Sequence, residues 1–520
     1  MKKIYLLIAL VAFTVTSCKK SFIDLTPQDQ ISGANFYQTE TDFRQALAST
    51  YVTLRALFNS DFYMSEMRSD NADYDYYPVN VGTAYVYREY IHDWVDDAYD
   101  SYTGDIYRYC YVGISRANTI LDKLQTATAV SASSKSEIQG EAEFLRALYY
   151  FRLVRYFGGV PLSLHEVTTA DQAFIPRASA DDIYKQIIAD ASDAITKLPT
   201  VAFAKGQQTG AATKGAATML LADIYMTQKN YAGAETLLTT LPGMGYGLLP
   251  TYASVFSSTN KNSVESIFEV QYMAGASGGQ QSSFIYLFLP RTTDTKLITS
   301  GVTTNNSTSG GWNVPTQDLL NAYEPGDTRL DASIGIAEGT YNSSYIFTIS
   351  AYKSIINYKP AAGKIGRPFD KKVLNPVATA NNTDDDWPVY RYADALLMLA
   401  EAQNEQGKSG PALTGLNAVR ARAFGNALHN ITTTDQTALR TIIAHERRIE
   451  LAFENHRWFD LLRTGTAINV MSAFATQLKV LHPYLSTASY NVQPFRLLYP
   501  IPLSERNVNP GLVQNPGYTF

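Results

Sequence analysis

The residues whose types and spacing could do chemistry fall into a few short groups. Gly275-Ala276-Ser277-Gly278-Gly279 spells G-x-S-x-G, the spacing of a serine nucleophile on a sharp strand-to-helix turn. That device needs a helix directly after the serine and a parallel sheet beneath it. Gly279 to Ser283 make a poor helix start and no repeating strand–helix pattern surrounds them, so the segment reads as a flexible loop. His445-Glu446 opens an H-E-x-x-H zinc pair, but Ile449 stands at the second ligand position. Asn71, Asp73 and Asp75 alternate like calcium ligands, yet Tyr76 sits where glycine is required and Gly82 where the bidentate glutamate belongs. The chain has 6 histidines, none paired at ligand spacing, and no phosphate-binding G-x-x-x-x-G-K-[ST]. No metal and no cofactor is therefore expected. Acidic pairs that glycoside hydrolysis would need exist (Asp70 with Asp73, Asp96 with Asp97, Asp384 to Asp386), but nothing marks one out from a solvated acidic surface.

A different chemistry is written between residues 61 and 102. Arg68, Asp70, Asn71, Asp73, Tyr74, Tyr76 and Trp94 interleave planar apolar faces with hydrogen-bonding groups, joined by Tyr77, Tyr85 and Tyr87. A sugar needs both, since its C–H faces lie on aromatic rings and its hydroxyls seek polar side chains. The composition agrees: 36 tyrosines outnumber 23 phenylalanines, and tyrosine joins a flat apolar face to a polar tip. Trp312, beside the Thr/Ser/Asn/Gly-rich stretch 303–311, is the candidate from the second half of the chain. The bland alternative is that these aromatics simply pack, as Trp387 and Trp458 are expected to do.

The elements that must hold these residues are mostly helical. Thr41–Phe58 carries Phe43, Ala46, Leu47, Leu54 and Leu57 on one face, and Asp105–Leu124 is its expected partner. Glu141–Phe157 ends at Gly158-Gly159 and Val160-Pro161; Asp181–Leu198 follows and stops at Pro199. Between Ala211 and Leu241, Ala222, Tyr225, Tyr231 and Ala234 fall on the small, large, aromatic and small positions of a tetratricopeptide hairpin, and Pro388–Ala423 holds a degenerate copy. Four such pairs result, each needing its neighbours to cover its apolar face. Residues 246–387 read as short strands and loops, with a strand at 266–273. His445 to Gly465 reads as one helix, started by Thr433 and Gln436 at capping-box spacing and stopped by Gly465. It is apolar over a wide arc yet rich in Glu and Arg, so its charges must tie neighbouring elements together.

At 520 residues with 18% charged and 45% hydrophobic residues, the chain buries a large core. A net charge of −5 without a basic stripe argues against nucleic acid. Lys2-Lys3, the apolar run Ile4–Val15 and Thr16-Ser17-Cys18 have the layout of a signal peptide, residues 1–17, cleaved before a lone cysteine. Acyl chains such as palmitate on Cys18 would anchor the chain to a membrane, with 18–35 as tether. Only Cys110 remains, so no internal disulfide is expected.

Several of these segments together resemble the SusD/RagB family: the Cys18 lipobox, 141–161, 388–402, 445–465 and the QNPGY motif within 509–518. The resemblance implies a mainly α fold of four tetratricopeptide-like helical hairpins with long irregular insertions and a few short β-strands. It implies an N-terminal helical region at 36–245 and a C-terminal region at 246–520. It further implies a non-catalytic, surface-exposed lipoprotein of the outer membrane, serving polysaccharide utilization. Such a protein binds an oligosaccharide and delivers it to a SusC-like TonB-dependent barrel, docked through its helical repeat face. Ligand contacts then divide between the 61–102 segment and later loops. Peptide capture in the manner of RagB is the alternative. A glycoside hydrolase and a pure repeat adaptor stand further off.

Overall fold

The computed structural model describes residues 36–78, 82–200, 210–275 and 280–519. The signal segment, the tether with Cys18, and Ser277 lie outside the described residues.

The first helix, α1 (Glu40–Met64), starts at a capping box in which Thr39 and Asp42 satisfy each other's backbone N–H groups. It runs past Phe58 because Asp61, in its last turn, is buried against Tyr156, Arg152 and Asn455. α2 (Thr83–Asp93) is a helix where the sequence reads as turn-rich. It ends at Trp94, left-handed with φ 62°. α3 (Ser101–Thr126) packs antiparallel on α1, and α4 (Ala132–Phe157) packs between α3 and α5 (Ala180–Lys197). Gly113 lets α3 touch α4, since a Cβ there would lie 2.2 Å from the Tyr149 ring. α4 is buried almost all round, which explains the mixture of apolar and charged residues along it. α6 (Lys214–Thr227) and α7 (Tyr231–Leu238) form the third hairpin, with Ala222 and Ala234 fully buried at its small-residue positions.

The strands are short. β1 (Ala72–Asp73) pairs with β3 (Val314–Pro315), and β2 (Ser266–Val270) pairs with β7 (Trp387–Arg391). β4 (Ile334–Tyr341), β5 (Phe347–Ser354) and β6 (Ile365–Asp370) form an antiparallel sheet in the order β5-β4-β6. The β1–β3 pair joins the aromatic excursion to the Trp312 loop, so two segments far apart in sequence share one surface.

α8 (Tyr392–Glu405) and α9 (Ser409–Phe424) make the fourth hairpin, with Gly415 close enough to the Leu396 carbonyl that a Cβ would clash at 2.6 Å. The single helix expected over 445–465 is two. α10 (Gln436–Glu450) is capped by Asp435, whose carboxylate accepts from Ala438 N–H, rather than by Thr433. The Gln436 amide instead donates to the Asn404 carbonyl. After α10 the chain turns through Phe453 (φ 67°) and Asn455 (φ 66°) before α11 (Arg457–Arg463). Carboxylates of α1 and the turn after it hold this corner: Glu66 accepts from Phe453 N–H at 2.8 Å and Asp61 from the Asn455 amide at 3.0 Å. Gly465 stops the second piece in the left-handed conformation. α12 (Ala467–Leu481) follows.

The charges of α10 do tie elements together. Glu450 meets Arg391 at 3.0 Å, Arg329 at 3.1 Å and Arg422 at 2.5 Å. Glu454 meets Arg391 and Lys372, Glu446 meets Arg329 and Arg420, and Glu265 of the strand layer meets Arg391 and Arg422. All of these side chains are buried, and each carboxylate has two or more cations, the pairing that makes buried charge tolerable.

Candidate functional site

The structure divides the expected site residues into two sets. Arg68 and Trp94 are fully buried. The Arg68 guanidinium pairs with Asp96 and lies 4.2 Å over the Trp94 ring, which stands edge-on to Trp458 at 5.5 Å. Asp70 is clamped by Arg457 at 2.8 Å and by Arg448 at 3.0 Å. Asn71 donates to Glu66 at 2.9 Å and accepts from Arg448 at 2.8 Å. These four tie the excursion to α10 and α11 and offer a ligand no surface. An aromatic ring, a cation and carboxylates interleaved in sequence are equally what a buried ion pair requires, and here that requirement wins. Trp312 is also interior, 2% exposed, boxed by Tyr63, Tyr74 and Tyr85 with Arg88 5.1 Å from its ring.

Asp73, Tyr74 and Tyr76 are brought together along a groove of about 570 Å³. One wall is the β1–β3 pair and the loop after it; the other is the end of α12 and the loop that follows. Tyr76 and Tyr484 lie face to face, ring centroids 3.6 Å apart and planes 5° from parallel. Tyr341 and Tyr345, at the β4–β5 turn, stand opposite; Tyr76 is 42% and Tyr345 54% exposed. Gln317 and Gln477 add amide groups to the rim. Sequence reasoning reached Tyr76 but missed Tyr484, Tyr341 and Tyr345. The signal was present in each case, a tyrosine beside turn-forming residues: His482-Pro483-Tyr484 after a helix, and Tyr341-Asn342-Ser343-Ser344-Tyr345 between two strands.

The groove's acids are all engaged. Asp75 pairs with Arg367, and Asp318 with Arg448 at 2.7 Å. Asp73 on β1 receives His92 on one carboxylate oxygen at 3.1 Å and His482 on the other at 2.8 Å. Burial works against ionising Asp73, but the two imidazole contacts outweigh it and hold the carboxyl well below the usual range. Beneath it the balance is reversed. Burial pushes Asp93 up to about 7, with the neighbouring Asp73 adding to the rise, and pushes Glu89 up to about 7, with Asp93 adding to it. His92 bonds the Met67 carbonyl through Nδ1 at 2.6 Å, so that nitrogen carries a proton. Asp93, hydrogen-bonded by the Tyr74 hydroxyl, is buried behind the groove wall.

Glycoside hydrolysis asks for a protonated acid and an ionised partner flanking the scissile bond. The groove instead has paired carboxylates and no free acid among its described residues. Of the acidic pairs in the sequence, Asp70 is clamped in the interior away from Asp73, Asp96 is buried on Arg68, and Asp384 and Asp386 contact Lys261 elsewhere. What remains is a set of aromatic faces and hydrogen-bonding rims, a surface for holding a polyhydroxylated ligand.

Comparison with known proteins gives the same direction. Residues 264–518 match the family model described as SusD family, and 21–226 match one described as starch-binding associating with outer membrane. A SusD-like protein of Formosa agariphila is 26% identical, covering 97% of this chain and 96% of its own. The starch-binding protein SusD of Bacteroides thetaiotaomicron is 25% identical over 78% of this chain and 76% of its own. Among solved structures, a laminarin binding SusD-like protein superposes with a TM-score of 0.71 at 25% identity, covering 93% of this chain and all of that one. A SusD homolog from Bacteroides thetaiotaomicron reaches a TM-score of 0.75 at 22% identity, covering 95% and 100%.

Proposed function

The chain belongs to the SusD family, and from that premise we propose that it captures a neutral oligosaccharide in the Tyr76–Tyr484 groove and passes it on unchanged. As a member of that family it is a binding protein, not an enzyme. The observation that carries the glycan reading is the groove's chemistry. Tyrosine rings from three separate segments face one cleft, Tyr76, Tyr341 and Tyr345 exposed and Tyr484 partly so, and tyrosine supplies both the apolar face and the polar tip a sugar needs. The laminarin-binding and starch-binding relatives support it. The neutral preference rests on charge: Asp73, Asp75 and Asp318 occupy the groove's basic groups, His482, Arg367 and Arg448, so an anionic sugar finds those cations already paired.

The same proposal includes attachment to the outer membrane through acylated Cys18 and transfer of the glycan to a SusC-like TonB-dependent barrel. Its support is the lipobox of the sequence and the family's stated association with the outer membrane. Calorimetry on residues 19–520 with laminarin oligosaccharides, starch oligosaccharides and a peptide panel tests the first step. Heat with a neutral glycan, lost in the Tyr76→Ala, Tyr484→Ala double variant, is expected. Heat with peptides alone would replace the ligand class, and turnover of a labelled oligosaccharide would overturn the binding-protein reading.

A further inference from the structure

The loop that carries Tyr484 is anchored at its far end by buried Tyr490, with Leu485 and Val492 packed on the core, but its start is exposed. The last residue of α12, Leu481, is 64% exposed, and Val480 before it is 81% exposed. Yet the Tyr484 ring is set nearly parallel to Tyr76. Beside its packing on Tyr74, a polar contact sets it. His482, two residues earlier, meets Asp73 through Nε2 at 2.8 Å, and Asp73 belongs to β1, which is paired to β3 and so to the frame. The other Asp73 oxygen faces His92 of α2 at 3.1 Å. The far end of the same loop returns to this cluster, since Tyr490 donates its N–H to the Asp93 carbonyl at 2.6 Å and its hydroxyl meets His92 Nε2 at 2.7 Å.

We propose that Asp73 and His482 are positioning residues of the groove: one carboxylate, bridging His92 and His482, sets the C-terminal loop so that Tyr484 stacks on Tyr76 as the aromatic wall. This rests on the reading of the groove as the glycan seat. It gives Asp73 a role other than touching the sugar, since its carboxylate already faces both imidazoles and the Tyr74 N–H. It also makes His482 the residue whose loss frees the ring without opening the core. The stack itself has a consequence. At 3.6 Å the two rings are in van der Waals contact, so a pyranose cannot lie between them and must use an outer face. The pair then acts as one rigid platform, and rigidity lowers the ordering cost of binding.

The test uses His482→Ala and His482→Gln in the soluble chain, Gln retaining an N–H that reaches Asp73. Near-ultraviolet circular dichroism of the unliganded protein reads the coupled Tyr76–Tyr484 pair; calorimetry with laminarin oligosaccharides reads binding; a thermal melt reads the fold. The expected result for His482→Ala is loss of the tyrosine-pair band and binding weaker by about tenfold. The melting temperature should move by less than about 2 °C, as for one exposed-side contact in a large chain. His482→Gln should restore the band and the affinity. Asp73→Asn, which removes the charge both imidazoles face, should reproduce the alanine result. An unchanged band in His482→Ala overturns the proposal, as does an equal loss of binding and melting temperature in both His482 variants. If the wild type binds no glycan while the band still vanishes in His482→Ala and returns in His482→Gln, the positioning stands and the glycan reading falls.

Discussion

Two buried charge clusters invite comparison, one around Glu450 in the frame and one around Asp73 behind the groove. Both are withdrawn from water and hold Glu450 and Asp73 ionised, yet beside Asp73 a second carboxyl, Asp93, ends in the opposite state. In the frame, burial opposes ionisation but Arg422, Arg391 and Arg329 prevail, and Glu450 is held at about 2. Behind the groove, Asp73 is held by two imidazoles, while burial pushes the neighbouring Asp93 up to about 7. The lesson is that burial alone sets neither protonation nor rigidity; the ratio of cations to carboxylates does. The frame is a closed network that keeps its form across ordinary pH. The groove's backing is short of positive charge, so its proton load is adjustable.

The comparison breaks first at Arg391. Its guanidinium touches Glu265, Glu450 and Glu454, and Arg391→Met would leave those carboxylates short of a partner. Removing one member of a buried network typically costs about 3–5 kcal/mol, so chemical denaturation should show a loss of that size. A loss below about 1 kcal/mol would mean that the network is not what holds the frame together. The acid limb has its own sign. Glu450 has a folded pKa below its ordinary value, so its contribution is present above about 4.5 and disappears as pH falls through about 2.

Asp93 sharpens the contrast because its sign is reversed. Its folded pKa, about 7, lies above the ordinary 3.8. Wild-type stability from this group is therefore full below the ordinary value and is lost as pH rises through about 7. Asp93→Asn cannot ionise, and its amide oxygen can still accept from the Tyr74 hydroxyl. The variant should match wild type near pH 4 and exceed it by about 2 kcal/mol near pH 8. A stability difference that stays flat across that range would show that Asp93 is not the group that titrates. Smaller still is the expected effect at the rim. Tyr345→Ala, at a 54% exposed side chain, should weaken glycan binding by about fivefold and leave the melt unchanged.

The same contrast explains what the sequence could tell. The helical hairpins were legible because their signals are local: a 3.6-residue period, small residues where Ala222, Ala234, Ala400 and Ala412 pack, and stop signals at Gly158 and Pro199. The corner between α10 and α11 was not. Nothing between Glu450 and Arg457 breaks a helix by composition; the turn is imposed by Glu66, 387 residues before Phe453. Nor was α2, whose tyrosine-rich sequence reads as loop until it caps the aromatic box around Trp312. The groove was half legible. Tyr76 belongs to a recognisable aromatic and polar stretch, whereas its partner Tyr484 comes from a loop that only the fold brings near. Arg68 and Trp94 misled for a physical reason, since a cation on a ring beside an acid describes a sugar contact and a buried ion pair alike.

The smallest effect is expected where charge is paired but not buried. Lys408 reaches Glu235 between the fourth and third hairpins at 2.6 Å, a shorter contact than Arg391 makes with Glu450. By distance alone it would be the stronger of the two. Lys408 is nearly half exposed, however, so water and salt screen the pair and little desolvation cost is at stake when it is broken. Lys408→Ala should therefore cost no more than about 0.5 kcal/mol, and raising the salt concentration should erase even that. A cost near that of Arg391→Met would make contact length, not burial and stoichiometry, the quantity that separates the frame from the groove.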